Sequence, residues 1–232
     1  MAQLLSNRFL SSLSPESRDL LKCQATAVAL PWWTVLYEAQ TTPPYAFFMT
    51  SGIASVVTEM SDGSVAEVGV IGNEGVVGSL HLLGSAKAST RCFMQMDGTA
   101  LRVPFSEVQK AFQTRDDIRA RFLEFIQEQS MTLAQIAGCH RLHSAEQRLA
   151  RWLLMAQDRT QSEILGFTQA FLAMMLGSRR TTVTLVASGL QKRGILEYQR
   201  GQVRILDRQS LVDAACDCYP ITKRLYDGLY KT

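Results

Sequence analysis

The stretch MMLGSRRTTVTLVASGLQKRG, residues 174–194, ends an apolar run on one glycine and follows it with paired arginines and three threonines. Upstream, Thr168 is placed as the N-cap of a short helix, QAFLAMML, which Gly177 closes. Ser178 can cap a further helix over residues 179–193, in which Val183, Val186 and Leu190 turn inward at spacings of three and four. Two short helices joined by a tight glycine turn form a helix-turn-helix, whose second helix enters the major groove of DNA.

The chemistry at the start of that helix suits the motif. Arg179, Arg180, Thr181 and Thr182 stand at its N-terminus, with Thr184 one turn on. Arginine can grip O6 and N7 of guanine with two hydrogen bonds, while threonine donates to phosphate or touches the thymine methyl. The helix end adds its own positive pole and free amides. After Gly194, ILEYQRGQVRILD reads as two strands joined at Arg200-Gly201, a wing carrying Arg200 and Arg204 toward phosphates, with Lys192 and Arg193 beside it. A helical hairpin with a solvated basic end is the weaker reading, because turn glycine, basic helix start and wing coincide.

Charge divides along the chain. Residues 1–138 hold 10 Lys+Arg against 13 Asp+Glu, and residues 139–208 hold 11 against 5. A basic module follows an acidic one, which points to a polyanionic partner for the second alone. Hydrophobic residues make up 47% and charged residues 19%, a composition that excludes disorder over most of the length.

Between residues 33 and 104, short β-rich runs (WTVLYEA, GIASVVTEM, SVAEVGVIG, TRCFMQM, TALRVP) are separated by turn signals, Ser61-Asp62-Gly63 and Asp97-Gly98 among them. A barrel, roll or sandwich follows from that spacing. Glycine and proline then vanish from residue 105 to 137. Phe122, Phe125, Ile126, Gln129, Leu133 and Ile136 fall on one face there, which predicts one long helix ended or bent at Gly138. Its length and near-heptad seam favour a symmetric helix pair between subunits over packing on the β region alone, with Gln129 as a polar register point. A further helix is expected over residues 144–159, with Leu149, Trp152, Leu153 and Ala156 inward.

The opening MAQLLSNRFLSSLSPESRDLL reads as an amphipathic helix without a signal-peptide core, and no run is long and apolar enough to span a membrane, so a cytoplasmic protein is expected. Five cysteines (Cys23, Cys92, Cys139, Cys216, Cys218) are scattered and odd in number, and form no pair of C-x-x-C units. They read as reduced packing or surface thiols with no metal assigned, although Cys216 and Cys218 together could bind metal or sense oxidants. No nucleophile elbow, P-loop or H-E-x-x-H helix occurs, so no catalytic residues are assigned. A cupin-like metal enzyme would need converging ligands, and His81 is the only histidine of the β region.

Taken together, the β-rich domain, the long helix, TQAFLAMMLGSRRTTV (residues 168–183) and the basic wing resemble the Crp-Fnr family of bacterial transcription regulators. The resemblance implies an α+β chain: an N-terminal, jelly-roll-like β-roll of the cyclic-nucleotide-binding type (residues 1–110), a long dimerisation helix and hinge (111–138), and a C-terminal winged helix-turn-helix (139–232). It implies a homodimer on palindromic double-stranded DNA, controlled by a small-molecule effector and able to engage RNA polymerase. It makes Arg180 the candidate guanine reader, with Thr168, Gln169, Ser178, Arg179 and Thr182 at phosphates or flanking bases. Many members carry glutamate and a second arginine where this chain has Thr181 and Leu185, so a different operator is expected.

The effector segment departs further from the family. Its cyclic-nucleotide binders use a G-E dipeptide for the ribose and an R-S/T pair for the cyclic phosphate. Here Gly78 is followed by Ser79, and Ala88-Ser89 stands in place of the pair; Lys87, Ser89, Thr90 and Arg91 are the remaining candidates. Without both charge-assisted contacts, tight binding of cyclic AMP is not expected. An iron-sulfur sensor needs several N-terminal cysteines and only Cys23 lies there, while haem would rest on His81 alone; ordinary packing is the default for His81, His140 and His143. The alternative within the same class is a DNA-binding protein whose sensor domain is vestigial.

Overall fold

The computed structural model describes residues 7–84 and 87–231. The chain divides into two compact units: Met1–Thr58, Gly69–Met131 and Gly228–Thr232 form the first, Glu59–Val68 and Thr132–Asp227 the second.

The first unit opens on α1 (Arg8–Ser11) and α2 (Pro15–Cys23), two short helices in place of the single one expected. Ser14 caps α2 and Pro15 occupies its first turn, a combination that starts a helix and cannot continue one. Asn7 fixes the entry: its Oδ1 accepts from Leu10 N–H at 2.9 Å, and its amide donates to the carbonyls of Met49 and Gly75, both at 2.9 Å.

Strands β1 (Thr26–Leu30), β2 (Val35–Tyr37), β3 (Tyr45–Glu59), β4 (Val65–Ile71), β5 (Val76–Val77) and β6 (Thr90–Pro104) form an antiparallel sheet ordered β1-β6-β3-β4, with β2 on β6 and β5 on β3. Ser61-Asp62-Gly63 is a turn, closed by Met60 N–H to the Ser64 carbonyl at 2.8 Å, with Gly63 at φ +79°. Asp97-Gly98 is not. It lies inside the continuous β6, at a bulge where Gly98 crosses Gly52 of β3. A Cβ on Gly52 would stand 2.6 Å from the Asp97 carbonyl oxygen, so both chains need glycine to pass.

Helix α3 (Phe105–Thr114) is separated from α4 (Asp116–Leu142) by extended Arg115. The long helix therefore starts at Asp116, and it runs through Gly138, which neither ends nor caps it. Phe122 of α4 packs 4.4 Å from Phe9, and Phe122 and Phe125 are both fully buried in the first unit's own core.

In the second unit, Ser144 and Gln147 form a capping box for α5 (Ala145–Thr160), which buries Leu149, Trp152, Leu153 and Ala156 as expected. There follow β7 (Ile164–Leu165), α6 (Gln169–Met175), α7 (Arg180–Lys192), β8 (Leu196–Gln199), β9 (Gln202–Ile205), α8 (Arg208–Ala214) and α9 (Cys218–Gly228). Phe167 links these elements, edge-on to Trp152 at 4.7 Å and stacked on Phe171 at 5.5 Å. Asp158 of α5 holds the C-terminal helices, accepting from Arg208 at 2.7 Å and from the Tyr219 hydroxyl at 3.0 Å. No helix among the described residues is long and apolar enough to cross a membrane.

Candidate nucleic-acid interface

Thr168 caps α6, accepting from Phe171 N–H at 3.1 Å. The helix ends in a Schellman turn: Ser178 N–H bonds the Ala173 carbonyl at 2.9 Å and Gly177 N–H that of Met174 at 3.2 Å, with Gly177 left-handed at φ +54°. Ser178 does not cap α7. Its hydroxyl is engaged by Arg148 of α5, whose guanidinium donates to it at 3.1 Å and to the Leu176 carbonyl at 3.2 Å. Helix α7 instead starts one residue later than expected, after Arg179, with no side-chain cap. Its first amides are thus left to an anion from outside.

The inward face of α7 is Val183, Ala187 and Leu190, with Val186 half-buried. Outward stand Arg179, Arg180, Thr181, Thr184 and Leu185, all exposed, while Thr182 and Gln169 are half-buried. The Thr184 hydroxyl lies 2.6 Å from Gln169 Oε1, which ties the start of α6 to the second turn of α7. Burial raises the pKa of Tyr198 on β8, against the pull of the nearby Arg180 guanidinium. The Tyr198 hydroxyl is bonded to the Phe167 carbonyl at 2.8 Å. Arg180 therefore starts the helix beside a fixed wing strand.

The wing is a three-stranded sheet ordered β7-β9-β8. Its tip is a two-residue turn with Arg200 at φ +51° and Gly201 at φ +77°, the twist a tight hairpin requires. Arg200 and Arg204 are exposed, as is Lys192 at the end of α7. Arg193 differs from them: it pairs with Glu146 at 2.7 Å. Arg151 and Arg159 are buried, and Arg148 and Arg208 are bonded internally. Much of the positive charge counted over residues 139–208 is therefore structural, and the outward cations concentrate on α7 and the wing.

Two family models match the chain, the cyclic nucleotide-binding domain over residues 28–115 and the Crp-like helix-turn-helix domain over residues 147–214, together more than half its length. The chain belongs to the Crp-Fnr family of transcription regulators. Among solved structures, it is similar to a Crp/Fnr-family regulator from Eubacterium rectale (15% identity, 88% of this chain and 95% of that one, TM-score 0.70). It is also similar to a CRP-family regulator from Thermus thermophilus (16%, 81% and 96%, 0.69) and to the c-di-GMP-responsive global regulator CLP of Xanthomonas campestris (16%, 83% and 99%, 0.66). At these identities the likeness is one of fold. No curated protein matches in sequence.

Residues 78–91 of this Crp-Fnr chain lie within the matched cyclic nucleotide-binding domain. Gly78, at φ +96°, leads a 3₁₀ turn (Ser79–Leu82) in which Ser79 is buried. Lys87 and Ser89 are exposed, and the Thr90 hydroxyl meets that of Tyr37 at 3.2 Å. Arg91 is paired with Glu38 at 3.2 Å and lies over the Phe93 ring. A groove of about 340 Å³ is lined by Leu80, His81, Leu83, Gly84, Lys87 and Ala88. His81 packs edge-on to Tyr37 at 5.0 Å, and burial lowers its pKa.

The expected seam of α4 fares differently along its length. Phe122, Phe125, Ile126 and Ile136 are buried within the chain, Gln129 is half-buried, and Leu133 is exposed. The face left outward carries Leu123 and Met131 with Ser130, Ala134, Ala137 and Gly138. Arg148, Tyr198 and Glu146 were not legible as site residues, since each acts through a partner distant in sequence.

Proposed function

We propose that this chain is a homodimeric, sequence-specific regulator of transcription on palindromic DNA, with Arg180 reading a guanine and Arg179, Thr181, Thr182, Lys192, Arg200 and Arg204 setting register on bases and phosphates. The observation that carries this reading is the exposed, uncapped, cationic start of α7 on a turn held by Gly177 and Arg148. Such a helix end offers base-edge donors and phosphate-binding amides at one fixed place.

The outward stripe of α4 supports pairing with a second copy. Leu123 is 47% and Met131 51% exposed, and the small residues beside and beyond Met131 (Ser130, Ala134, Ala137, Gly138) allow close approach of two helices. Phe122 and Phe125 belong to the subunit's core in this reading. Replacing Ala134 by glutamate is expected to leave a folded monomer by sedimentation. Phe125→Ala should instead cost about 3–5 kcal/mol of folding stability.

The effector is a small molecule other than cyclic AMP. Ser79 and Ala88 supply neither carboxylate nor guanidinium, and Arg91 is already engaged by Glu38. The groove by Lys87 suits a largely apolar ligand bearing one anionic group. The test is selection from a random duplex library by purified protein without ligand. Half-sites one helical turn apart would support a dimer competent alone, the vestigial-sensor alternative. Enrichment only with added cell metabolites would support a true sensor, and none under either condition would refute the reading.

A further inference from the structure

Three of the five cysteines converge in the second unit. Cys139 sits near the end of α4, Cys216 lies in the link after α8, and Cys218 is the first residue of α9, on the other side of Asp217; all three are at most 4% exposed. His143, one turn beyond Cys139, completes a group whose four ligand atoms lie within 4.8 Å of one another. Cys139 Sγ is 3.4 Å from Cys216 Sγ, and Cys218 Sγ is 3.5 Å from His143 Nδ1. We propose that Cys139, His143, Cys216 and Cys218 form a closed, four-coordinate site for a soft divalent metal ion, zinc foremost.

The Cys139–Cys216 and Cys218–His143 separations are close to those between ligands of one ion. A tetrahedron with metal–sulfur bonds of about 2.3 Å and a metal–nitrogen bond of about 2.0–2.1 Å has edges of about 3.5–3.8 Å. Sulfurs this close leave room for a single ion and none for a cluster of irons and sulfides. Thiolate and imidazole select zinc over magnesium or calcium, which prefer oxygen.

The surroundings point the same way. His143 Nε2 lies 3.4 Å from the Asp217 carboxylate, which leaves Nδ1 toward the cysteines and fixes the ring, the usual partnership behind a zinc-bound histidine. The Gln135 side-chain amide donates to Cys218 Sγ at 3.1 Å, a contact that favours a thiolate. Plain apolar packing of thiols would call for neither polar group.

Sequence spacing hid the site. C-x₃-H ends one helix, and C-x-C follows only after α5, α6, α7, the wing and α8 have passed. The ion would thus join the two ends of the DNA-binding unit, closing a chain loop around the whole helix-turn-helix. That placement makes it a clamp on the unit's fold.

The test uses the full chain, expressed with zinc and purified under reducing conditions without chelator or metal-affinity resin. Elemental analysis should find one zinc per chain, and zinc-edge X-ray absorption should show three sulfurs at about 2.3 Å and one nitrogen at about 2.0–2.1 Å. Cys216→Ser and Cys139→Ser should lower retained zinc at least about tenfold. Cys23→Ser, which changes an exposed thiol outside the group, should leave it unchanged. Because buried serines can unfold the unit, metal-stripped wild type is also given cobalt(II), which should produce thiolate-to-cobalt charge transfer and intense tetrahedral bands. Absence of both retained zinc and the cobalt spectrum would overturn the proposal. So would a Cys139–Cys216 disulfide in metal-free protein, which would make the group a redox pair, or absorption data showing only oxygen and nitrogen ligands.

Discussion

At the start of α7, Arg179, Arg180 and Thr181 stand exposed on a turn fixed by Gly177 and Arg148; in residues 78–91, Ser79 is buried and Arg91 is bound to Glu38. Both places belong to matched domains of one family, yet only the first presents the charges its polyanionic partner would need. A groove in DNA is met by cations aimed outward from a rigid helix end, whereas a cyclic nucleotide is held by a carboxylate and a guanidinium aimed into a pocket. Under the proposed function, α7 carries the chemistry that DNA requires, while residues 78–91 lack the pair of charges that a cyclic nucleotide requires.

The largest effect expected from breaking this contrast is at Arg180. Arg180→Ala should cost about 1–3 kcal/mol on the selected duplex and much less on random DNA. Fluorescence anisotropy at one fixed salt concentration measures both, and equal losses would remove Arg180 from base reading. Arg148→Ala should act on the scaffold, lowering the unfolding free energy by about 1–2 kcal/mol, because two guanidinium hydrogen bonds are lost and the Leu176 carbonyl keeps only the Ser178 hydroxyl, at 3.3 Å. An unchanged denaturation midpoint would show that the turn holds without it.

A smaller effect separates the cations from one another. Arg204→Ala should weaken specific and random duplexes alike and lower the slope of log affinity against log salt by up to about one unit. Arg193→Ala should change that slope less, since its guanidinium is already 2.7 Å from Glu146. Equal slope changes would mean that DNA displaces Glu146 and recruits Arg193.

What the sequence disclosed tracks how local each cause is. Thr168, Gly177 and Arg200-Gly201 act on their own neighbours, so that cap and those two turns were readable, whereas the cap expected of Ser178 failed because Arg148, thirty residues away, engages its hydroxyl. Gly98 acts on Gly52, forty-six residues away, so a bulge inside β6 read as a turn. The segment YAFFMTS at the start of β3 escaped because Ala46, Phe47, Phe48 and Met49 are all buried, which erases the alternation that marks a half-buried strand. The stripe on α4 was visible, but periodicity cannot say which partner covers it; Phe9 and the sheet take Phe122 and Phe125. The same limit hid Arg148 and the gathering of Cys139, Cys216 and Cys218.

The smallest expected effect is a null one, and it tests residues 78–91 directly. A ligand that binds only the folded chain stabilises it by RT ln(1 + [L]/Kd), so at 1 mM cyclic AMP a submicromolar Kd would add about 4 kcal/mol. A Kd weaker than 1 mM would add less than about 0.4 kcal/mol. The second outcome is expected, as an unshifted melting temperature and unchanged duplex affinity. Ser79 offers the ribose a buried hydroxyl in place of a carboxylate, and Ala88, its carbonyl bonded to Gln40 N–H at 2.8 Å, brings no cation to the phosphate. A large shift would place the phosphate on Lys87 or on an Arg91 released from Glu38. Lys87→Ala and Arg91→Ala would then divide the two, and the contrast between an exposed cationic helix start and a segment unsuited to a cyclic nucleotide would fail at its second term.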